Sequence, residues 1–192
     1  MSRRVNVMPG EVQVSSDPDT VLVTLLGSCV AACLYDPVAR VFGMNHFLLA
    51  GRRTPSADPI TSEAGRYGIH AMELLINGLL KRGGRRDRLK AKVFGGANVL
   101  ASSAGNPFAI GEINGSFVKE FLENEGIPLL AADLGGEAGR QVHFRGRDFA
   151  VYVKLLQGQR VREVVAEETR YGRRSMAAQS RPVGGGVTFF DP

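Results

Sequence analysis

Two apolar runs rich in β-branched residues, Val21 to Leu26 and Val30 to Tyr35, are separated only by Gly27-Ser28-Cys29. Each run reads as a buried strand, and a glycine followed by a small polar residue breaks the pattern between them. The chain therefore bends between two pieces of core sheet, and Cys29 sits at the bend.

Asp36-Pro37 opens a turn after the second run, and Val41 to Leu49 reads as a third strand, so Cys29 to Leu49 has the outline of a hairpin. A two-residue loop of Pro37 and Val38 pairs Asp36 with Ala39 and, seven positions further along each strand, Cys29 with His46. Directly opposed residues have Cβ atoms about 4.5–5.5 Å apart, near enough for thiol and imidazole to meet. A four-residue loop would leave the two on a diagonal instead.

A thiol beside an imidazole is the minimum apparatus of cysteine nucleophilic catalysis: the histidine takes the proton and the thiolate attacks a carbonyl carbon. Pairing of this kind predicts a lowered thiol pKa at Cys29. Glycine before the nucleophile lets backbone amides turn toward a developing oxyanion. Taken as two residues alone, the pair is more often explained by a plainer reading, a buried cysteine acting as a small hydrophobe and a structural histidine.

The wording around these residues is more specific than the pair. Thr24-Leu-Leu-Gly-Ser-Cys-Val30, Leu34-Tyr-Asp-Pro37 and Gly43-Met-Asn-His-Phe-Leu48 are followed in order by Tyr67, Phe94-Gly-Gly-Ala-Asn98, Ile110-Gly-Glu-Ile-Asn114, and Asp133-Leu-Gly-Gly136 with Arg140. Over about residues 5 to 157 this series resembles the CheD family, glutamine deamidases that act on bacterial chemoreceptors. The resemblance implies a layered α/β/β sandwich of the CheD and toxin-deamidase type, with Cys29, His46 and Thr24 as the catalytic set. It also implies a pocket framed by Gly27, Ser28, Tyr67, Gly95, Gly96, Asn98 and Asn114. The substrates it implies are the cytoplasmic domains of chemoreceptors, with a CheC-type phosphatase as a further partner and no cofactor. A non-catalytic adaptor or a thiol amidohydrolase of small molecules are the alternatives. This chain lacks a glycine that some relatives carry between the threonine and the Gly-Ser-Cys turn, so Thr24 is open to two readings, an orienting hydroxyl for His46 or an ordinary strand threonine. Asn114 likewise reads either as a helix N-cap or as a pocket residue.

Composition agrees with an enzyme-sized soluble domain: 192 residues, 44% apolar and 22% charged. No apolar run is long enough to span a bilayer and the first residues lack the apolar core of a signal peptide, so a cytoplasmic protein without membrane insertion is expected. The two cysteines, 29 and 33, lie about 13 Å apart on an extended strand, beyond disulfide reach. Cys-x₃-Cys with three scattered histidines lacks the ligand pairs of a zinc site, so no metal is expected. The formal net charge of +5 is spread over scattered arginines. Its densest patch, Arg82 to Arg88, contains no aromatic on which a base could stack, and nucleic acid is not an expected partner.

Elsewhere the pattern predicts an α+β chain. Val5 to Val14 is an edge strand broken at Pro9-Gly10, Ala50 to Arg66 a long surface loop, and Tyr67 to Arg82 an amphipathic helix ended by Gly83-Gly84. A strand over Leu89 to Phe94, a helix from Asn114 to Asn124, a strand over Ile127 to Ala132 and a hairpin across Arg145 to Asp148 complete it. His70 and His143 read as surface residues. The division is residues 1–158 as the deamidase-like domain and 159–192 as a poorly structured C-terminal tail, flexible or a docking segment, in which Phe189 and Phe190 are the conspicuous apolar pair.

Overall fold

The computed structural model describes residues 2–49, 63–99 and 110–179. The strands are β1 (Arg3–Asn6), β2 (Val12–Ser15), β3 (Thr20–Leu26), β4 (Val30–Asp36), β5 (Val41–Asn45), β6 (Lys90–Gly95), β7 (Leu129–Leu134), β8 (Arg140–Arg145) and β9 (Val151–Leu155). The helices are α1 (Glu63–Leu80), α2 (Ile110–Asn124) and α3 (Gln159–Gln179). Two sheets result, one of four strands ordered β1-β3-β8-β9 and one of five ordered β2-β5-β4-β6-β7. Although β3 and β4 are almost contiguous, they belong to different sheets. The bend at Gly27-Ser28-Cys29 is where the chain crosses from one to the other.

Alternation along β4 divides the core. Val30, Ala32 and Leu34 join a cluster with Met72, Leu75, Ile76 and Leu79 of α1 and Phe117, Val118 and Phe121 of α2. Cys29, Ala31, Cys33 and Tyr35 face the other way, into a cluster with Leu22, Leu26, Val142 and Phe144 of the four-stranded sheet. Helices thus cover one face of the five-stranded sheet while its other face packs on the second sheet, giving the α/β/β layering of an α+β fold. Burying each large apolar side chain of α1 contributes about 1.5–3 kcal/mol, which is ample reason for this helix to form where its apolar residues recur at helical spacing.

The hairpin between β4 and β5 differs from the expected register. Asp36 pairs with Val41, Tyr35 with Phe42 and Cys33 with Met44, so the loop holds four residues, 37 to 40, and Cys29 is not directly opposite His46. The cause is the Asp36 side chain: its Oδ1 accepts from the backbone N–H of Val38 at 2.8 Å and of Ala39 at 3.0 Å. Those bonds wind the chain into a longer turn, which Arg40 closes at φ 57°. A shift of two residues keeps the face. Cys29 and His46 therefore remain on one side of the sheet as diagonal neighbours.

The Asp36 carboxylate is buried and also ties the turn to the segment after α1, with Oδ2 accepting from Arg85 N at 2.9 Å and Arg88 Nε at 2.9 Å. Arg86 of the same basic patch is paired with Glu73 and Glu125. Where the pattern suggests a helix opening at Asn114, α2 already begins at Ile110, which places Asn114 inside the helix rather than at its cap. Where the pattern suggests a poorly structured tail from residue 159, Gln159–Gln179 is a helix in which Val164 and Glu168 are buried, and residues 180–192 lie outside the described residues. The greater part of the long loop, residues 50–62, lies outside the described residues, as do Phe189 and Phe190.

Burial on its own raises the pKa of Asp36, but the N–H groups of Ala39, Arg85 and Val38 and the Arg88 guanidinium outweigh it and hold the carboxyl below its ordinary value. Replacing Asp36 by alanine strands those donors, and an expected loss of about 2–4 kcal/mol should appear as a lower urea midpoint at neutral pH.

Candidate active site

Cys29, Thr24 and His46 come together from three segments. Thr24 lies in β3, Cys29 at the bend after it, and His46 just past the end of β5, where its N–H donates to Glu11 O at 3.1 Å and its carbonyl accepts from Gly10 N at 2.7 Å. All three side chains are buried.

The hydrogen bonds around His46 settle its tautomer. Thr24 Oγ1 stands 2.7 Å from the Val7 carbonyl, an acceptor, so the hydroxyl proton is committed there. The same oxygen lies 2.8 Å from His46 Nδ1. With its proton already given away, the threonine accepts, so Nδ1 carries the hydrogen; a second approach of Nδ1 to Val7 O at 3.4 Å has the same sense. Nε2 is then the bare nitrogen. It is buried and, among the described residues, makes no hydrogen bond. Thr24 Oγ1 thus joins the Val7 carbonyl to the imidazole.

The second half of the site is a cradle of backbone N–H groups, and it is filled by a residue the sequence reading passed over. Glu168 of α3 places Oε1 2.7 Å from Gly27 N and 3.0 Å from Cys29 N. Its Oε2 accepts from Ser28 N and Ser28 Oγ, each at 2.8 Å. Three successive amides converging on one carboxylate form an anion site. Gly27 is required for the approach: a Cβ there would lie 2.9 Å from Glu168 Oε2 and 3.2 Å from a methyl of Val164.

The cradle is held from behind. Gly96 N and Ala97 N donate to the carbonyls of Cys29 and Gly27, each at 2.8 Å. Gly95 and Gly96 have φ of 110° and 63°, and a Cβ on Gly95 would fall 2.3 Å from the Cys29 carbonyl oxygen, so only glycine fits. Asn114 donates from Nδ2 to Ser28 O at 2.8 Å and accepts from Leu49 N at 2.9 Å, joining the Cys29 bend to the chain after His46. Asn98 is exposed, and its backbone N–H donates to Gly136 O at 2.7 Å. Arg140 grips Asp133 through Nε and a terminal nitrogen at 2.9 and 2.8 Å, shaping the Gly135-Gly136 turn that meets this loop. Tyr67, half-buried on α1, is hydrogen-bonded through its hydroxyl to Tyr171 of α3. His70 is exposed on α1 and His143 half-exposed on β8, paired with Val23.

Electrostatics follow from burial and from Glu168. Burial pushes the Cys29 thiol up, and the Glu168 carboxylate raises it further by its charge and its hydrogen bond. That is opposite to the lowering expected from His46 alone, because the thiol here faces an anion. Burial depresses His46 to about 4, against the opposing pull of Glu168, the Val7 carbonyl and Glu11. Ring, thiol and carboxylate each bring one atom within 4.8 Å of the others, a trio that in principle suits a metal ion. Each carboxylate oxygen, however, already accepts two hydrogen bonds, and a cation there would meet the positive ends of three N–H dipoles. The donor set fits an anion.

Fold and site define a two-sheet α+β protein with a thiol and an imidazole beside a backbone anion cradle. The chain belongs to the CheD family. The model of that family, described as CheD chemotactic sensory transduction, matches residues 48–155. Relatives extend the likeness across the N-terminal strands that carry Cys29 and His46. "Probable chemoreceptor glutamine deamidase CheD 1" of Geobacter sulfurreducens is 53% identical over 159 residues, 81% of this chain and 79% of its own. "Probable chemoreceptor glutamine deamidase CheD" of Agrobacterium fabrum is 47% identical over 189 residues, 98% of this chain and 97% of its own. Among solved structures, the Bacillus licheniformis hypothetical protein YfiH covers 64% of this chain and is itself covered over 49% of its length, at TM-score 0.39 and 15% identity, a likeness from which no assignment follows.

Neutral burial of His46 has a consequence for stability. Its native pKa lies below the value of about 6.5 it has when unfolded, so the unfolded chain binds the extra proton and the native state loses stability as pH falls from about 6.5 toward about 4. A His46→Gln variant should flatten that part of the stability profile, and nitrogen NMR of the wild type at neutral pH should show the proton on Nδ1.

Proposed function

We propose that this chain hydrolyses glutamine side-chain amides in the cytoplasmic domains of chemoreceptors, yielding glutamate and ammonia and thereby tuning chemotaxis. The observation that carries the reading is the arrangement at the bend, where Cys29 shares one cradle with three N–H donors while Thr24 leaves His46 Nε2 bare. The two relatives, each named a probable chemoreceptor glutamine deamidase, suggest the substrate.

The steps follow from the geometry. With the cradle vacant, a substrate carboxamide enters it, oxygen toward the amides of Gly27 and Cys29. The Cys29 proton passes to His46 Nε2 and the thiolate attacks the amide carbon. Negative charge developing on the oxygen meets donors already in place, the kind of preorganised stabilisation that is worth most when the donors need not move. The C–N bond breaks as His46 returns its proton to the leaving ammonia, leaving a thioester on Cys29. Water, deprotonated by the same nitrogen, cleaves the C–S bond and releases the glutamate side chain. Thr24 is a positioning residue in this scheme, keeping the hydrogen on Nδ1. Gly95, Gly96 and Asn114 hold the bend in shape, the Asn98 backbone braces the loop, and Tyr67 lines the approach. No step calls for a metal, so activity should survive EDTA.

Mass spectrometry of receptor cytoplasmic fragments incubated with the protein should show a gain of about one dalton at individual glutamines, the change of an amide to an acid. Cys29→Ala should abolish it and Cys33→Ala should retain it. Full activity in Cys29→Ala would end the proposal, and receptor binding without any mass change would point to a non-catalytic adaptor. Thr24→Val should lower kcat by about a hundredfold through loss of the productive tautomer, with KM little changed, while Thr24→Ser should restore most of the rate.

A further inference from the structure

The residue filling the anion cradle belongs to this chain and is the chemical product of the proposed reaction, a glutamate side chain. We propose that α3 is a built-in pseudo-product: Glu168 occupies the substrate position, closes the site, and must withdraw before a receptor glutamine can enter. The inference rests on the deamidase reading and adds a regulator to the same site.

Three observations support it. The fit is specific, since four donors from Gly27, Ser28 and Cys29 meet both carboxylate oxygens at 2.7–3.0 Å. Glu168 is 4% exposed although its helix is otherwise largely polar and open to solvent, and a carboxylate is seldom buried unless its position is paired for it. The helix also docks along one face, because Val164, Glu168 and Tyr171 recur at helical spacing. Val164 is buried beside Gly27 and Val99, and the Tyr171 hydroxyl meets Tyr67 and lies where a Cβ on Gly10 would be 2.7 Å away. Gly172 continues the contact toward Leu48.

The occupant is also the better ligand of its chemical pair. Glu168 Oε2 accepts from the Ser28 N–H; an amide nitrogen in that place would turn its own hydrogens toward the same N–H, with only Ser28 Oγ able to accept from it. A carboxylate therefore holds α3 down more firmly than a carboxamide. The thiol is protonated beside it, and the attacking group is at rest while the helix is docked. A glutamine placed at 168 would instead present the enzyme with its own substrate. The Cys29 thiolate would attack that side-chain carbon, the C–N bond would break with ammonia leaving, and water would cleave the thioester to regenerate the glutamate.

The test uses the full chain and two variants. In Glu168→Ala, the rate of iodoacetamide alkylation at Cys29, measured against Cys33 in the same molecule, should rise, and kcat/KM toward receptor fragments should increase by about tenfold as the binding-competent fraction grows. Purified Glu168→Gln should gain about one dalton at residue 168 over time, and the double variant with Cys29→Ala should not. If Glu168→Ala fails to fold, the near-isosteric Glu168→Gln carries the test alone. Wild-type alkylation and turnover in Glu168→Ala, together with a glutamine at 168 that stays intact in an enzyme active on receptors, would overturn the pseudo-product. Faster alkylation in Glu168→Ala with no deamidation by any form would instead keep the closing role of α3 and sink the deamidase reading.

Discussion

Strand β4 has no exposed face, and the rest of the molecule is arranged to keep it covered. All seven of its residues are buried, alternate ones packing on helices and on the second sheet. Its backbone is paired on both sides, by β5 and β6. The cysteine just before its first residue is therefore fixed by a strand that cannot shift register without moving a whole apolar set to the wrong side. A thiol placed there inherits the rigidity of the core rather than the mobility of a loop.

The cost of such placement is enclosure. Cys29 and His46 are so deeply buried that both favour their neutral forms, and activation depends on what else shares the cavity. Thr24 and the Val7 carbonyl engage His46 Nδ1 without adding charge, leaving Nε2 without a hydrogen bond among the described residues. The glycines at 95, 96 and 111 let three backbone segments approach more closely than side chains allow, Gly27 leaves room for Glu168, and the resulting cradle of amides supplies positive potential from dipoles alone. In this site the polarity that chemistry requires comes from the backbone, which a core can accommodate when every group is paired.

Much of this was written in local pattern. The interrupted apolar runs located the bend at Cys29, the helical spacing from Ile69 to Leu80 located α1, and the alternation around Arg145 to Asp148 located the β8–β9 hairpin. These depend on neighbours in sequence, whose periodicity shows which face is covered. The length of the loop after β4 is not legible in local pattern, because the choice between a short and a long turn rests on Asp36, whose side chain satisfies local amides and distant arginines together. The start of α2 escaped for a related reason, since Asn114 has the chemistry of a cap but spends it on Leu49 and Ser28 instead.

The sequence by itself determined that a thiol would stand at a glycine bend between core strands, that a histidine would lie on the same face of the next strand, and that helices would cover a sheet; each follows from residue type and short-range periodicity. Only the tertiary structure decided which nitrogen of His46 is bare and what fills the anion cradle. The first is set by Val7, carried to Thr24 by the parallel pairing of β1 with β3, and the second by Glu168, some 140 residues from the amides it meets. Hydrogen bonds between groups so far apart leave no trace in local pattern, because what selects the partner is the path of the folded chain and not the composition of either segment.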